Sequence, residues 1–149
     1  MPSHYSGTPT ETRTLDTFIK LTRCINALLA RLAERGTIGD LTPSQFAVLE
    51  ALYHLGSMTQ GEISAKVLKS VSNMTTVIDN LERDGLVRRE RDHHDRRVIH
   101  IHLTETGISI LEEVFPRHVN ALVDEFSVLS DGEQETLGQL CRKLGKGKL

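Results

Sequence analysis

The chain has 149 residues, 38% of them apolar and 26% charged, with a net charge of −2, a balance that fits one soluble globular domain and excludes a fibrous, disordered or wholly basic chain. There is no Trp and aromatic content is 4%, so Leu, Val and Ile must fill the core. Cys24 and Cys141 form no CxxC, the N-terminus has no apolar signal segment, and no apolar run approaches the roughly 18 residues of a membrane span; the expectation is a cytoplasmic protein without a disulfide framework and with no membrane partner.

Residues 1–10, rich in Pro, Ser, Thr and Gly, are expected to fray. Leu15, Phe18, Leu21, Ile25, Leu28 and Leu32 then recur at steps of three and four, the stripe of a long amphipathic helix. Gly36 is its natural stop. In "LTPSQFAVLEALYHLG", Thr42 can cap a second helix with Pro43 in its first turn and Gln45 closing a capping box. Phe46, Leu49, Ala51 and Leu52 form its expected buried stripe, and Gly56 ends it. Thr59 and Glu62 repeat the box for a short third helix. A tight turn at "LKS" leads to a fourth, where Met74, Val77, Ile78 and Leu81 follow the i, i+3, i+4, i+7 pattern and Gly85 closes the segment.

"LVRRERD" and "RRVIHIHLT" read as two strands around the turn "HHD", because Ile99, Ile101 and Leu103 alternate with His100 and His102. "TETG" opens a long helix with Leu111, Phe115, His118, Leu122 and Phe126 on one side and Pro116 as an expected bend. Ser130 and Glu133 box the last helix, which carries Leu137, Leu140, Cys141 and Leu144. The fold class is mainly α with a small β-hairpin, a winged helix-turn-helix flanked by helices at both ends.

The segment Arg83 to His102 holds six arginines against four acids in a chain that is acidic overall. Such a local excess marks a polyanion-binding face. In a helix-turn-helix, the second helix enters the major groove. Here that helix buries its apolar row and leaves Ser72, Asn73, Thr75, Thr76 and Asn80 on its other face. These short polar side chains reach base edges and phosphates without filling the groove.

Two further readings stay open. His93, His94, His100 and His102 crowd the hairpin and could hold a metal ion, although neither HExxH nor another metal-site spacing occurs. Solvent-facing strand histidines beside DNA are the plainer account. No GxSxG, Walker A or GxGxxG motif is present, so neither an enzyme nor a bound cofactor is expected.

"LTPSQFAVLEAL" followed by "NMTTVIDNLERDGLVRRERDHHDRRVIHIHLTETG" resembles the MarR family of bacterial transcription regulators. The matching core spans about residues 41–107, within a single family domain covering 1–149. The resemblance implies dimerisation helices at about 11–35 and 105–146, a palindromic double-stranded DNA operator bound by a homodimer, and a repressor released by a small lipophilic or phenolic effector. It places "DHHDRR" at the wing tip, with Arg97 in the minor groove and Asp95 orienting it. Arg88, Arg89, Arg91 and Arg96 become candidates for phosphate contacts, some of them pairing instead with Glu90 and Asp92. Many family members carry Arg where this chain has Thr76, which shifts base readout toward Asn73 and Thr75. Peroxide-sensing members carry a reactive cysteine in the first helix. Cys24 lies nearly two turns past that position and the partner tyrosines are missing, so it reads as a buried structural cysteine, with redox sensing as the alternative.

Overall fold

The computed structural model describes residues 4–67 and 71–148, and side chains in the fourth helix from residue 73 onward. The "LKS" turn and the side chain of Ser72 lie outside the described residues. The order is α1 (Pro9–Arg35), α2 (Pro43–Leu55), β1 (Met58–Thr59), α3 (Gln60–Val67), α4 (Val71–Arg83), β2 (Val87–Arg91), β3 (Ile99–Leu103), α5 (Glu105–Phe126) and α6 (Asp131–Lys146). The chain divides into two compact units. One contains residues up to Gly36 together with Asn120–Leu149; the other is Thr37–Val119.

Thr37–Val119 holds the winged helix. Its core is Phe46, Val48, Leu49 and Leu52 from α2, Ile63 from α3, Met74, Ile78 and Leu81 from α4, Val87 and Ile101 from the sheet, and Leu111 and Val114 from α5. Met74, Ile78 and Leu81 are fully buried, and burial of each stabilises the unit by about 1.5–3 kcal/mol relative to exposure. One helix face is thereby fixed inward, and the polar face of α4 is left outward. The expected stripe on α2 was too narrow. Val48 is fully buried and Ala51 only half-buried, because α2 packs against α3, α4 and β3 at once.

The three boxes read from sequence form at Thr42/Gln45, Thr59/Glu62 and Ser130/Glu133. A fourth, Thr8/Glu11 with Pro9 in the first turn, starts α1 earlier than its apolar stripe suggests. The sheet has three strands rather than two, in the order β1-β3-β2. Met58 and Thr59 pair antiparallel with Ile101 and His100, covering the free edge of β3. The hairpin register sets Arg88 opposite His102 and Glu90 opposite His100. α5 runs as one helix through Pro116.

The joint between α4 and the wing is tight. Gly85 adopts φ +76°, a conformation that favours glycine. Gly85 N–H donates to Glu82 O at 3.0 Å and Leu86 N–H to Leu81 O at 2.9 Å, the paired bonds of a Schellman stop. Thr104 then ties the far end of the hairpin to the same joint, its hydroxyl donating to Gly85 O at 2.6 Å and its N–H to Leu86 O at 3.1 Å. A Cβ on Gly107 would collide with the carbonyl of Leu86, so glycine is what lets α5 start against β2.

In the other unit, Arg31 and Arg35 at the end of α1 bind Glu125 at 2.7 and 2.8 Å, and Arg35 also reaches Asp124. Glu125 is held below the usual carboxylate range, first by Arg31 and then by Arg35. Phe18, Ile25, Leu29, Val123, Leu140 and Leu144 are exposed on these helices. Cys24 and Cys141 are also exposed. The expectation of a buried Cys24 is therefore corrected: it lies on a stretch of α1 where Ile25 and Leu29 are exposed too, and the row is buried only at Leu32.

Candidate nucleic-acid interface

Asn73, Thr75 and Thr76 stand exposed on α4, and Asn80 is half-buried one turn further on. Gln60, the first residue of α3, donates its amide Nε2–H to the Thr75 hydroxyl at 2.6 Å. The two helices of the helix-turn-helix are thus linked at their polar surface as well as through the core.

The wing tip is organised by aspartates. Asp92 accepts the backbone N–H groups of His94 and Asp95 at 2.8 and 3.0 Å, an Asx turn. Its other oxygen meets His100 Nε2 at 3.0 Å. These bonds keep the Asp92 carboxyl below its ordinary value, the His94 N–H contributing most, then His100 and the Asp95 N–H. Asp95 grips Arg97 in a fork: Nε donates to Oδ1 at 3.1 Å and Nη2 to Oδ2 at 3.2 Å, with the Arg97 backbone N–H on Oδ1 at 3.0 Å. Arg97 lowers the Asp95 carboxyl in turn. The Arg97 side chain remains 90% exposed.

The other wing arginines differ from one another. Arg88 pairs with Glu90 on the same strand and holds that carboxyl below its usual range. Arg91 donates Nη1–H to the backbone carbonyl of Arg96 at 2.7 Å, bracing the tip. Arg96 forms no salt bridge among the described residues. Together with Asp92 and His93, Arg91 and Arg96 line a polar cleft of about 440 Å³. Arg89 turns away from the tip. It binds Asp79 and Glu82 of α4 at 2.6 and 2.8 Å, and its side chain is 25% exposed. Burial alone would lower the Arg89 pKa, but bonds from the two acids outweigh it and raise it.

Nε2 of His100 and both ring nitrogens of His102 have partners. His100 meets Asp92, and His102 meets the Ser57 hydroxyl at 2.6 Å and Glu90 at 3.5 Å. Among the described residues, no group of three His, Cys, Asp or Glu side chains is placed to hold a metal ion. No described helix is long and apolar enough to cross a membrane.

α2 and α5 bring aromatic rings together. Phe115 lies 6.3 Å from Phe46, 5.3 Å from His54 and 6.4 Å from Tyr53, and His118 packs on the Phe46 ring at 4.8 Å. His118 Nδ1 shares a hydrogen bond with the Thr37 hydroxyl at 3.0 Å. Sequence reasoning put Phe46, Phe115 and His118 on two separate stripes; only the packing of the two helices unites them.

A family model described as MarR family matches residues 41–99. Over 133 residues the chain is 34% identical to the HTH-type transcriptional regulator MhqR of Bacillus subtilis, covering 89% of this chain and 92% of that protein. The structure of a MarR family protein from Bacillus stearothermophilus superimposes with a TM-score of 0.70 at 38% identity, covering 90% of this chain and 94% of that one. The fold is also that of BpsR from Bordetella bronchiseptica, with a TM-score of 0.80 at 24% identity over 99% of this chain and all of that one. BpsR is a protein whose DNA binding is regulated by 6-hydroxynicotinic acid.

Proposed function

Starting from a chain that belongs to the MarR family of DNA-binding transcriptional regulators, we propose that it is a homodimeric repressor of a near-palindromic operator, released by a small lipophilic or phenolic effector. The observation that carries the DNA-binding reading is the Asp95–Arg97 fork, which presents an arginine side chain, 90% exposed, at the tip of a hairpin that follows α4. Arg97 enters the minor groove, whose negative potential deepens where it narrows. Asn73, Thr75, Thr76 and Asn80, with Ser72 at the start of the helix, meet the major groove. Arg96 contacts phosphate directly, and Arg88 does so once Glu90 yields it.

The exposed apolar rows support two-fold assembly. Phe18 is 62% and Leu144 66% exposed in a single copy. Surfaces of this kind mark protein–protein contacts, and a second copy doubles the operator contacts through effective concentration. On this reading both units are parts of one family domain. An aromatic acid would use the Phe46, Tyr53, Phe115 and His118 cluster, which offers ring faces and an imidazole beside a hydroxyl. 6-Hydroxynicotinic acid, which regulates DNA binding by BpsR, is an aromatic acid.

The test is enrichment of duplexes by the full-length protein from a random-sequence library. The proposal expects an inverted repeat, and loss of its binding when aromatic acids are added. The exposure of Cys24 favours a second reading, release by thiol oxidation, since reactive cysteines need solvent access. Release that survives Cys24→Ser argues against it.

A further inference from the structure

We propose that Arg89 is a positioning residue for DNA recognition, fastening the wing to the recognition helix so that the contacts of both elements meet one duplex in register. The inference rests on the operator reading above and reassigns an arginine that its sequence position offers as a phosphate contact.

The geometry is a three-point link. Glu82 uses both oxygens on one residue of β2: Oε2 accepts the Arg89 backbone N–H at 3.0 Å and Oε1 accepts Nη1–H at 2.8 Å. Nη2–H donates to Asp79 Oδ1 at 2.6 Å. Asp79 and Glu82 sit three residues apart on α4, so one planar guanidinium spans almost a full turn of helix. A fork with fixed donor directions can bind two carboxylates in this way, whereas an ammonium is a point charge without that directionality.

The wing needs such a link. It leaves α4 through the turn at Gly85, and the fork adds a second attachment four residues beyond it. The acids themselves make little sense as DNA-facing groups. Asp79 and Glu82 carry negative charge on the helix read as entering the major groove, where repulsion from phosphate weakens binding to any sequence. Their position is explained if they hold Arg89. With its donors directed at two carboxylates and its side chain largely covered, Arg89 has less to offer a phosphate than exposed Arg96 or Arg97.

The probe is the duplex enriched by the parent protein, compared with a scrambled duplex of the same composition. Both are read by fluorescence anisotropy at several salt concentrations. Two full-length variants are compared with the parent: Arg89→Met, and Asp79→Asn combined with Glu82→Gln. The second removes only partly exposed carboxylates, so it remains informative where Arg89→Met fails to fold. It also decides by sign. Deleting two negative charges strengthens binding to any duplex on Coulomb grounds. The fastening role expects affinity for the enriched duplex to fall about tenfold, a loss comparable to one mismatched base pair, while scrambled duplex is bound as well or better. Uniting all three substitutions should cost no more, since the same link is lost once. Tighter binding of the enriched duplex by the acid-deleted variant overturns the inference. So does an Arg89→Met protein that loses affinity for both duplexes alike with a salt slope smaller by about one, the behaviour of a phosphate contact. A parent that enriches no sequence contradicts the operator reading, and this inference with it.

Discussion

Asp95 holds Arg97 with both carboxylate oxygens, at 3.1 and 3.2 Å, while leaving the arginine side chain nine-tenths exposed. The pair spans only two residues, so it joins no distant parts of the chain; on the proposed function its role is to aim a charge. Arg97→Ala is expected to lower operator affinity and reduce the salt slope by about one. Asp95→Ala removes a negative charge near DNA, which alone would tighten binding. The aiming role expects weaker binding instead. Anisotropy titrations of both variants across salt concentrations measure the two effects.

Base readout is expected at Asn73 and Thr75, which stand exposed on α4. Asn73→Ala should relax preference at its base pair by about 1–3 kcal/mol, the value of a good bidentate contact. Thr75→Ala should cost less, since a hydroxyl offers a base edge a weaker contact than a bidentate amide. Competition between the enriched duplex and its single-base variants reads both; equal losses on all duplexes would make these residues phosphate binders.

The acid limb of stability has a definite sign. Asp92 and Asp95 both have carboxyls held below their ordinary value of 3.8 in the folded chain. A depressed folded-state pKa adds stability that is fully present above the unfolded-state value and is lost as pH falls through the folded one. Thermal melts should therefore show the wing's contribution intact from about pH 5 upward, where a free Asp is ionised, and shrinking progressively below 3.8. Asp92→Asn should lower the melting temperature at neutral pH and flatten that acid dependence.

Gly107 lies where an added Cβ would strike the Leu86 carbonyl. Gly107→Ala is expected to destabilise the chain by about 1–3 kcal/mol, the usual cost of overpacking. Chemical denaturation should show a lower midpoint. An unchanged midpoint would mean that the joint between β2 and α5 yields easily.

The exposed row on α1 predicts assembly. Ile25→Lys with Leu29→Lys should shift the full-length chain from dimer to monomer in sedimentation velocity, with loss of tight operator binding. Both positions are exposed in one copy, so the substitutions should leave the monomer fold intact.

Much of this architecture is legible in the sequence because its signals are local. Capping boxes and the row Met74, Ile78, Leu81 need only neighbours three or four residues apart. The Asp95–Arg97 pair could be anticipated from family resemblance for the same reason: its partners adjoin. What escaped depends on distance along the chain. β1 has two residues and no period of its own; β3 makes it a strand. The burial of Val48 comes from α2 being enclosed by several elements, which a single stripe does not reveal. Arg89 looked like its neighbours Arg88 and Arg91 until the turn at Gly85 brought it onto Asp79 and Glu82. The Thr8/Glu11 box was available to read, but its place in a Pro- and Thr-rich stretch made fraying the simpler expectation.

The central claim is that two copies dock α4 in the major groove and Arg97 in the adjoining minor groove. Hydroxyl-radical footprinting on the enriched duplex tests it most directly, because cleavage at sugars reports minor-groove cover. The account predicts two symmetric sets of protections whose centres are about one helical turn, 10–10.5 base pairs, or a multiple of it apart, with the outer minor-groove protections missing for Arg97→Ala. A single asymmetric footprint, or outer protections that persist in Arg97→Ala, would contradict it.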